Sequence, residues 1–258
     1  MNLQNNIESL ILKNSQIAII WLGQAGFLIK DSDGNIIAID PYLSDCGQRI
    51  RGFKRLSPKL ISPYEIKPDI YITTHTHFDH FDFDAIPIIA TCQKTHFFGP
   101  ITCIDKYKEI GINEDKFTLL EVGNEIKYGE VTIQAAYADH GTLAPDNIGI
   151  LIKVNEVKLY FSGDTAYHPE KMDEVKNFKP DIAVLSVNGK FGNLNNEEGA
   201  KVANYIGSKI AIPCHFWTFK EHGGDPQGFE EEMSKYAPNC KIEFMYQGQI
   251  FVYDHEII

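Results

Sequence analysis

A sandwich of two β-sheets with helices on both outer faces is the fold this sequence predicts, and three observations carry it. Short β-branched, apolar runs come in two blocks, each followed by helical segments. Lys67-Pro68-Asp69-Ile70 recurs as Lys179-Pro180-Asp181-Ile182, each time opening an apolar strand, which suggests two related halves. No low-complexity segment, charge block or Pro/Gly/Ser-rich linker interrupts the 258 residues, so one domain over residues 1–258 is expected.

The first block opens with strands from Ile17 to Trp21, Gly26 to Lys30 and Ile36 to Asp40, the last two joined by an Asp33-Gly34 hairpin turn. Pro68 to Thr73 reads as a buried strand, and Thr95 to Phe98 as another. A helix from Ile101 to Ile110 follows Pro100 and stops at Gly111, placed as a C′ glycine. The second block holds strands from Phe117 to Glu121, Val131 to Tyr137, Ile148 to Val154 and Val157 to Phe161, with Asn155 at a turn. Asn195 followed by Glu198 marks a capping-box start for a helix from Asn196 to Ile206. Ile210 to Cys214 is a further strand, and Asp225-Pro226 opens a last helix with Phe229, Met233 and Tyr236 on one face.

Composition narrows the function. At 43% hydrophobic and 23% charged the chain can bury a large core and is not disordered. A formal net charge of −11 argues against a sequence-independent nucleic-acid surface, which needs a basic footprint. No apolar stretch approaches the roughly 18 residues needed to cross a bilayer, and Met1 to Leu12 lacks a signal-peptide pattern. Five widely spaced cysteines without a C-x-x-C pair fit reduced thiols, so a cytoplasmic location is expected. Cys214, beside His215, reads as a packed small residue in a strand.

The chemistry is concentrated in Thr74-His75-Thr76-His77-Phe78-Asp79-His80, where three imidazoles and a carboxylate crowd the end of the Pro68 strand. Imidazole nitrogen and carboxylate oxygen are ligands for zinc, manganese and iron(II). Buried without a metal, such a cluster would cost several kcal/mol in unpaired polar groups. Four residues rarely complete two metal shells, and partners stand at other strand ends: His140 in Tyr137-Ala138-Asp139-His140, Asp164 in Ser162-Gly163-Asp164-Thr165, and His215 after Cys214.

In this order the residues resemble the metallo-β-lactamase-fold hydrolases, from Trp21 to about Tyr253. The resemblance implies a four-layer αββα sandwich and one or two divalent ions, zinc or manganese, with iron(II) also suited to the donors. It assigns His75, His77 and His140 to a first site and Asp79, His80 and His215 to a second, with Asp164 bridging. Asp40, ending Ile39-Asp40, matches the early aspartate that supports the metal loop from behind. Trp21-Leu22-Gly23-Gln24-Ala25-Gly26, Asp40-Pro41-Tyr42-Leu43-Ser44, Ser162-Gly163-Asp164-Thr165, Asn188-Gly189 and Asn193-Leu194-Asn195 resemble the branch containing L-ascorbate-6-phosphate lactonases.

The expected function is a metal-dependent hydrolase in which a metal-activated water attacks a small anionic ester, Asp79 holding and deprotonating that water. A lactone of a phosphorylated sugar acid is the substrate the branch implies. Arg49, Arg51, Lys54 and Arg55 form a basic loop in an acidic chain, with Arg51, Lys54 and Arg55 as phosphate contacts or a solvated face. Asn188 and Asn195 are candidates for sugar hydroxyls, Asn195 being equally explained as a helix cap. Phosphodiester hydrolysis is the alternative reaction, since two ions suit in-line displacement. A non-catalytic metal-binding module is the alternative of another class. Small-molecule partners are expected, with no nucleic acid or membrane, and a homo-oligomer is compatible. Of the other histidines, His96 and His255 read as structural and solvated, while His168 and His222 are candidates for the cleft lining.

Overall fold

The computed structural model describes residues 2–257. The chain forms two compact units, Met1–Leu120 with Tyr246–Ile258, and Glu121–Met245. Each contains a seven-stranded sheet.

The first unit holds β1 (Gln16–Gly23), β2 (Gly26–Lys30), β3 (Ile36–Ile39), β4 (Ile70–Ile72), β5 (His96–Gly99), β6 (Phe117–Leu119) and the chain's last strand, β14 (Ile250–Asp254). Their order is β14-β1-β2-β3-β4-β5-β6. β14, β1, β2 and β3 pair antiparallel, with Ile19 opposite Ile29 and Ile29 opposite Ile37. From β3 to β6 the strands are parallel, Ile37 pairing with Ile70 and Phe97 with Phe117. The period-2 rule picks out Ala18, Ile20 and Leu22 of β1, which share a core with Leu28, Tyr71, Phe97, Phe81 and Tyr107. Helices α1 (Leu3–Ser9), α2 (Cys46–Arg51), α3 (Ile86–Ile89) and α4 (Ile101–Glu109) complete the unit. The buried Lys30 ammonium donates to the carbonyls of Ile7 at 2.7 Å and Leu10 at 2.8 Å, bracing the end of α1.

The second unit repeats this plan with β7 (Glu125–Tyr128), β8 (Val131–Tyr137), β9 (Ile148–Val154), β10 (Val157–Phe161), β11 (Ile182–Ser186), β12 (Ile210–Cys214) and β13 (Lys241–Ile242). Strands β7 to β10 are antiparallel neighbours and β10 to β13 parallel ones. Thus β8 to β13 occupy the places of β1 to β6, and β7 that of β14. Helices α5 (Asp173–Phe178), α6 (Asn196–Ile206) and α7 (Pro226–Tyr236) belong here. α6 opens on a capping box between Asn195 and Glu198, and the Asp225 side chain caps α7 through Gly228 N–H at 3.0 Å. Gly199 lets α6 sit close to the loop after β11, because a Cβ there would stand 2.5 Å from Val187 Cγ1.

Two differences from the sequence pattern have local causes. β3 stops at Ile39 because Asp40 turns into the left-handed region, φ +44°, which breaks extended pairing. Glu125–Tyr128 and Ile250–Asp254 are strands at sheet edges, where partial exposure weakens the apolar signal.

Candidate metal centre

In the first unit the chain leaves β4 and folds back at once, the amides of His80 and Phe81 donating to His77 O at 3.0 and 2.7 Å. This turn gathers the four candidate ligands. His75 Nε2 and His77 Nδ1 lie 2.9 Å apart, the His75 and His80 rings are 4.1 Å apart, and His80 Nε2 is 3.8 Å from Asp79 Oδ2. His75, Asp79 and His80 are buried.

Three supports hold the turn in shape. Asp40, buried behind it, accepts from Thr74 N–H at 2.8 Å, Thr74 Oγ1 at 2.6 Å and His80 Nδ1 at 2.7 Å. With the Nδ1 proton directed to Asp40, neutral His80 presents an Nε2 lone pair toward the Asp79 carboxylate. Two electron-rich atoms facing each other in a buried site fit a cation between them. Gln24, between β1 and β2, donates from Nε2 to Asp79 Oδ2 at 2.8 Å and is itself held in a left-handed turn, φ +52°. Asp82 ties the loop after β3 to the turn by accepting from the amides of Leu43 and Ser44 at 2.8 and 2.7 Å and from Ser44 Oγ at 2.5 Å. Phe78, the residue between the motif's ligands, packs edge-on against Phe53 at 5.5 Å and covers Gly47, where a Cβ would meet its ring at 2.5 Å.

In the second unit the candidates again sit just past strand ends. His140 follows β8, Asp164 follows β10 after Gly163 at φ +58°, and His215 follows β12 in a left-handed conformation, φ +71°. Asp164 faces both histidines: Oδ2 is 3.7 Å from His140 Nε2 and Oδ1 is 3.1 Å from His215 Nε2. One carboxylate with an oxygen toward each of two imidazoles is the donor arrangement of a bridging ligand. The histidine and aspartate groups of the chain can therefore hold metal ions.

The loop between β11 and α6 borders these residues. Leu194 N–H donates to Thr165 O at 3.0 Å, and a Cβ on Gly192 would stand 3.9 Å from His140 Nδ1. Further along, Asn188 and Asn195 line one cavity of about 580 Å³ with Glu197, Asp225, Glu231 and Glu232. Asn188 is buried and accepts from Asn193 Nδ2 at 3.0 Å, while Asn195 caps α6.

The basic loop divides into two classes. Arg51 and Lys54 are exposed. Arg55 is not a surface cation: its side chain is 6% exposed, and its guanidinium donates to Tyr42 O and Ser44 O at 2.8 Å each and lies 4.2 Å over the Tyr42 ring. Those contacts commit Arg55 to bracing the Tyr42–Ser44 segment, which corrects its reading as a phosphate contact. Arg49 pairs with Asp84. His96 on β5 bonds to Thr118 Oγ1 at 2.8 Å, and Cys214 is a buried residue of β12. His168 lies between Asp139, 3.0 Å away, and Glu170 at 3.2 Å.

Two supporting residues escaped the sequence reading: Gln24 and Asp82. His222 is buried, with its ring stacked on that of His215 at 4.9 Å and 10°. For Gln24 the flanking pair Gly23/Gly26 was the available signal, since it lets the backbone fold tightly there.

Two seven-stranded sheets with histidine–aspartate clusters past their strand ends define the metallo-β-lactamase class of metal-dependent hydrolase. The profile of the β-lactamase superfamily domain matches residues 18–215, which runs through both units. A UPF0173 protein of Pyrococcus furiosus is 30% identical over 217 residues, covering 84% of this chain and 90% of the relative. A UPF0173 metal-dependent hydrolase of Hyperthermus butylicus is 24% identical, covering 90% of this chain and 97% of its own. The structure is similar to Igni18, a metallo hydrolase of Ignicoccus hospitalis, with TM-score 0.74 and 22% identity over 93% of this chain and 99% of that one. The chain belongs to the β-lactamase superfamily and, within it, to the UPF0173 metal-dependent hydrolases.

Proposed function

We propose that the chain works as one catalytic domain in which His75, His77 and His140 hold one divalent ion, Asp79, His80 and His215 a second, and Asp164 bridges them. The observation that carries this reading is Asp164, whose two oxygens face His140 and His215 separately. Zinc, manganese and iron(II) all suit these donors. When bound, the ions supply a Lewis acid and a water acidic enough to ionise near neutral pH. Asp79 would hold a proton at its carboxylate, with Gln24 fixing Oδ2 and so orienting it. Asp40 sets the His80 tautomer.

The substrate in this reading is a small anionic ester, with a lactone of a phosphorylated sugar acid as its most specific form. Asn188 and Asn195 share a polar cavity suited to hydroxyl groups, and Arg51 and Lys54 are exposed cations able to meet a phosphate. The acidic lining of the Asn188 cavity keeps the phosphate out of it. No helix of the described residues is long and apolar enough to cross a membrane, and the five cysteines form no disulfide. Free thiols suit the reducing conditions of a cytoplasm. Metal analysis with turnover assays on sugar-phosphate lactones and small phosphodiesters tests the proposal. Two equivalents of metal and lactone hydrolysis are expected; hydrolysis of phosphodiesters alone would replace the lactonase reading, and metal binding without any turnover would favour a non-catalytic module.

A further inference from the structure

Two exposed aromatic side chains, on the loops after β11 and β12, have no part in the scheme above. Phe191, on the loop after β11, is 46% exposed, and Trp217, on the loop after β12, is 52% exposed. Both backbones are left-handed, φ +56° and +66°. For bulky side chains that conformation is strained, and strain of this kind clusters where a surface is functional. The loops interlock. Trp217 N–H donates to Gly223 O at 3.4 Å, and a Cβ on Gly223 would touch Lys190 Cε at 3.3 Å. The Phe191 ring lies 5.2 Å from that of His222, which stacks on His215, so Phe191 is two ring contacts from a candidate ligand. Trp217 packs edge-on against Phe216 at 4.9 Å, immediately after His215 in the chain. Both loops leave the carboxyl ends of parallel strands, where open α/β sheets place their ligands.

An isolated exposed aromatic is ordinary surface. Here two stand on strained backbone, Phe191 linked to His215 through the His222 ring and Trp217 two residues past His215 on an adjoining loop. We propose that Phe191 and Trp217 form an aromatic platform that selects substrates carrying a flat, apolar group close to the hydrolysed ester bond. The inference rests on the hydrolase reading with His215 as a ligand. It makes the preferred substrate amphiphilic: an anionic ester with one flat apolar face. Ring stacking and burial of such a face favour it by about ten-fold over an isosteric site without aromatics.

The test compares two δ-lactones that differ only in a phenyl or a methyl substituent, using the metal-loaded full chain. A phenyl preference of about ten-fold in kcat/KM is expected, falling towards one in Phe191→Ala and in Trp217→Ala and kept in Phe191→Tyr. Equal kcat/KM in the unmodified protein, or a preference that survives both alanine substitutions, overturns the platform. A binding measurement separates this from failure of the hydrolase reading: 4-phenylbutyrate and butyrate are titrated against tryptophan fluorescence, with Trp217→Phe assigning the signal. If neither lactone is hydrolysed but phenylbutyrate alone quenches Trp217, the reaction reading fails and the platform stands. If neither carboxylate quenches it, the platform is wrong.

Discussion

Asp69 and Asp181 do the same work in the two units. Each carboxylate accepts the backbone N–H that opens the neighbouring strand, from Ile36 to Asp69 and from Lys158 to Asp181, at 2.9 Å in both. Each amide donates in return, to Ile36 O and Lys158 O, at 2.8 Å in both. Each also pairs with a lysine entering the next strand, Lys94 at 2.9 Å and Lys209 at 3.1 Å. The repeated Lys-Pro-Asp-Ile tetrapeptide therefore has a mechanical meaning: it is the clamp that joins three parallel-sheet strands at their starts.

Asp69→Ala and Asp181→Ala should each destabilise their unit by roughly 1–3 kcal/mol, because a strand-opening N–H loses its acceptor. Denaturant unfolding of the two variants measures this. A cost confined to one of them would mean that the clamps are not equivalent.

Asp79→Ala should abolish turnover, since it removes the proposed ligand and proposed proton acceptor together. Gln24→Leu should lower kcat while leaving Asp79 in place. Asp40→Asn should weaken metal affinity by ~10–100-fold, by releasing the His80 ring. Chelator competition and steady-state kinetics separate the three. Full activity of Asp79→Ala with normal metal content would remove Asp79 from the chemistry.

Gly47→Ala is expected to disturb the histidine turn from behind. The added methyl meets the Phe78 ring at 2.5 Å, so either α2 or the turn must shift, at about 1–3 kcal/mol. Lower melting temperature together with weaker metal binding is the expected pair of readouts. A change in neither would show that α2 yields without moving the turn.

Burial pushes the Cys46 thiol up to about 12, with the nearby Asp82 charge adding to the shift. The thiol is therefore protonated at every pH the folded enzyme meets, and iodoacetamide at pH 8 should leave it unmodified until the protein unfolds. Mass-spectrometric mapping of alkylated cysteines checks this, and rapid labelling of native Cys46 would contradict it.

His96 gives a pH effect of known sign. Burial and the nearby Lys116 charge lower its affinity for a proton in the folded state. Below about pH 6.5 the unfolded chain binds that proton more readily, so stability contributed at this position is present above that pH and lost as pH falls. His96→Gln should flatten this part of the stability profile, measured at fixed metal concentration. An identical acid limb in both proteins would place the effect elsewhere.

Much of the candidate site is legible in the sequence because its residues sit where apolar runs stop. The Ile70, Val131, Val157 and Ile210 strands each end within a few positions of a histidine or aspartate with ligand chemistry. Asp40 was read through the family resemblance, but the supports Gln24 and Asp82 were not legible, since they act through contacts between distant segments. Gln24 and Asp79 are 55 positions apart, and Ser44 and Asp82 are 38 apart, with nothing local to pair them. Arg55 shows the converse. Its charge is visible in the sequence but its burial over Tyr42 is not, so a structural cation looked like a ligand contact.

The paired sheets also bear on how such an enzyme could change. At the positions where the first half carries Thr76-His77, the second carries Asn188-Gly189, so the two equivalent loops have parted company. One carries a proposed ligand and is held to the demands of ion coordination. The other, with Asn188, Phe191 and Asn195 around it, contributes no proposed ligand and is at liberty to drift. In the proposed scheme, altering residues 188–195 would change what this hydrolase accepts while leaving every proposed ligand in place.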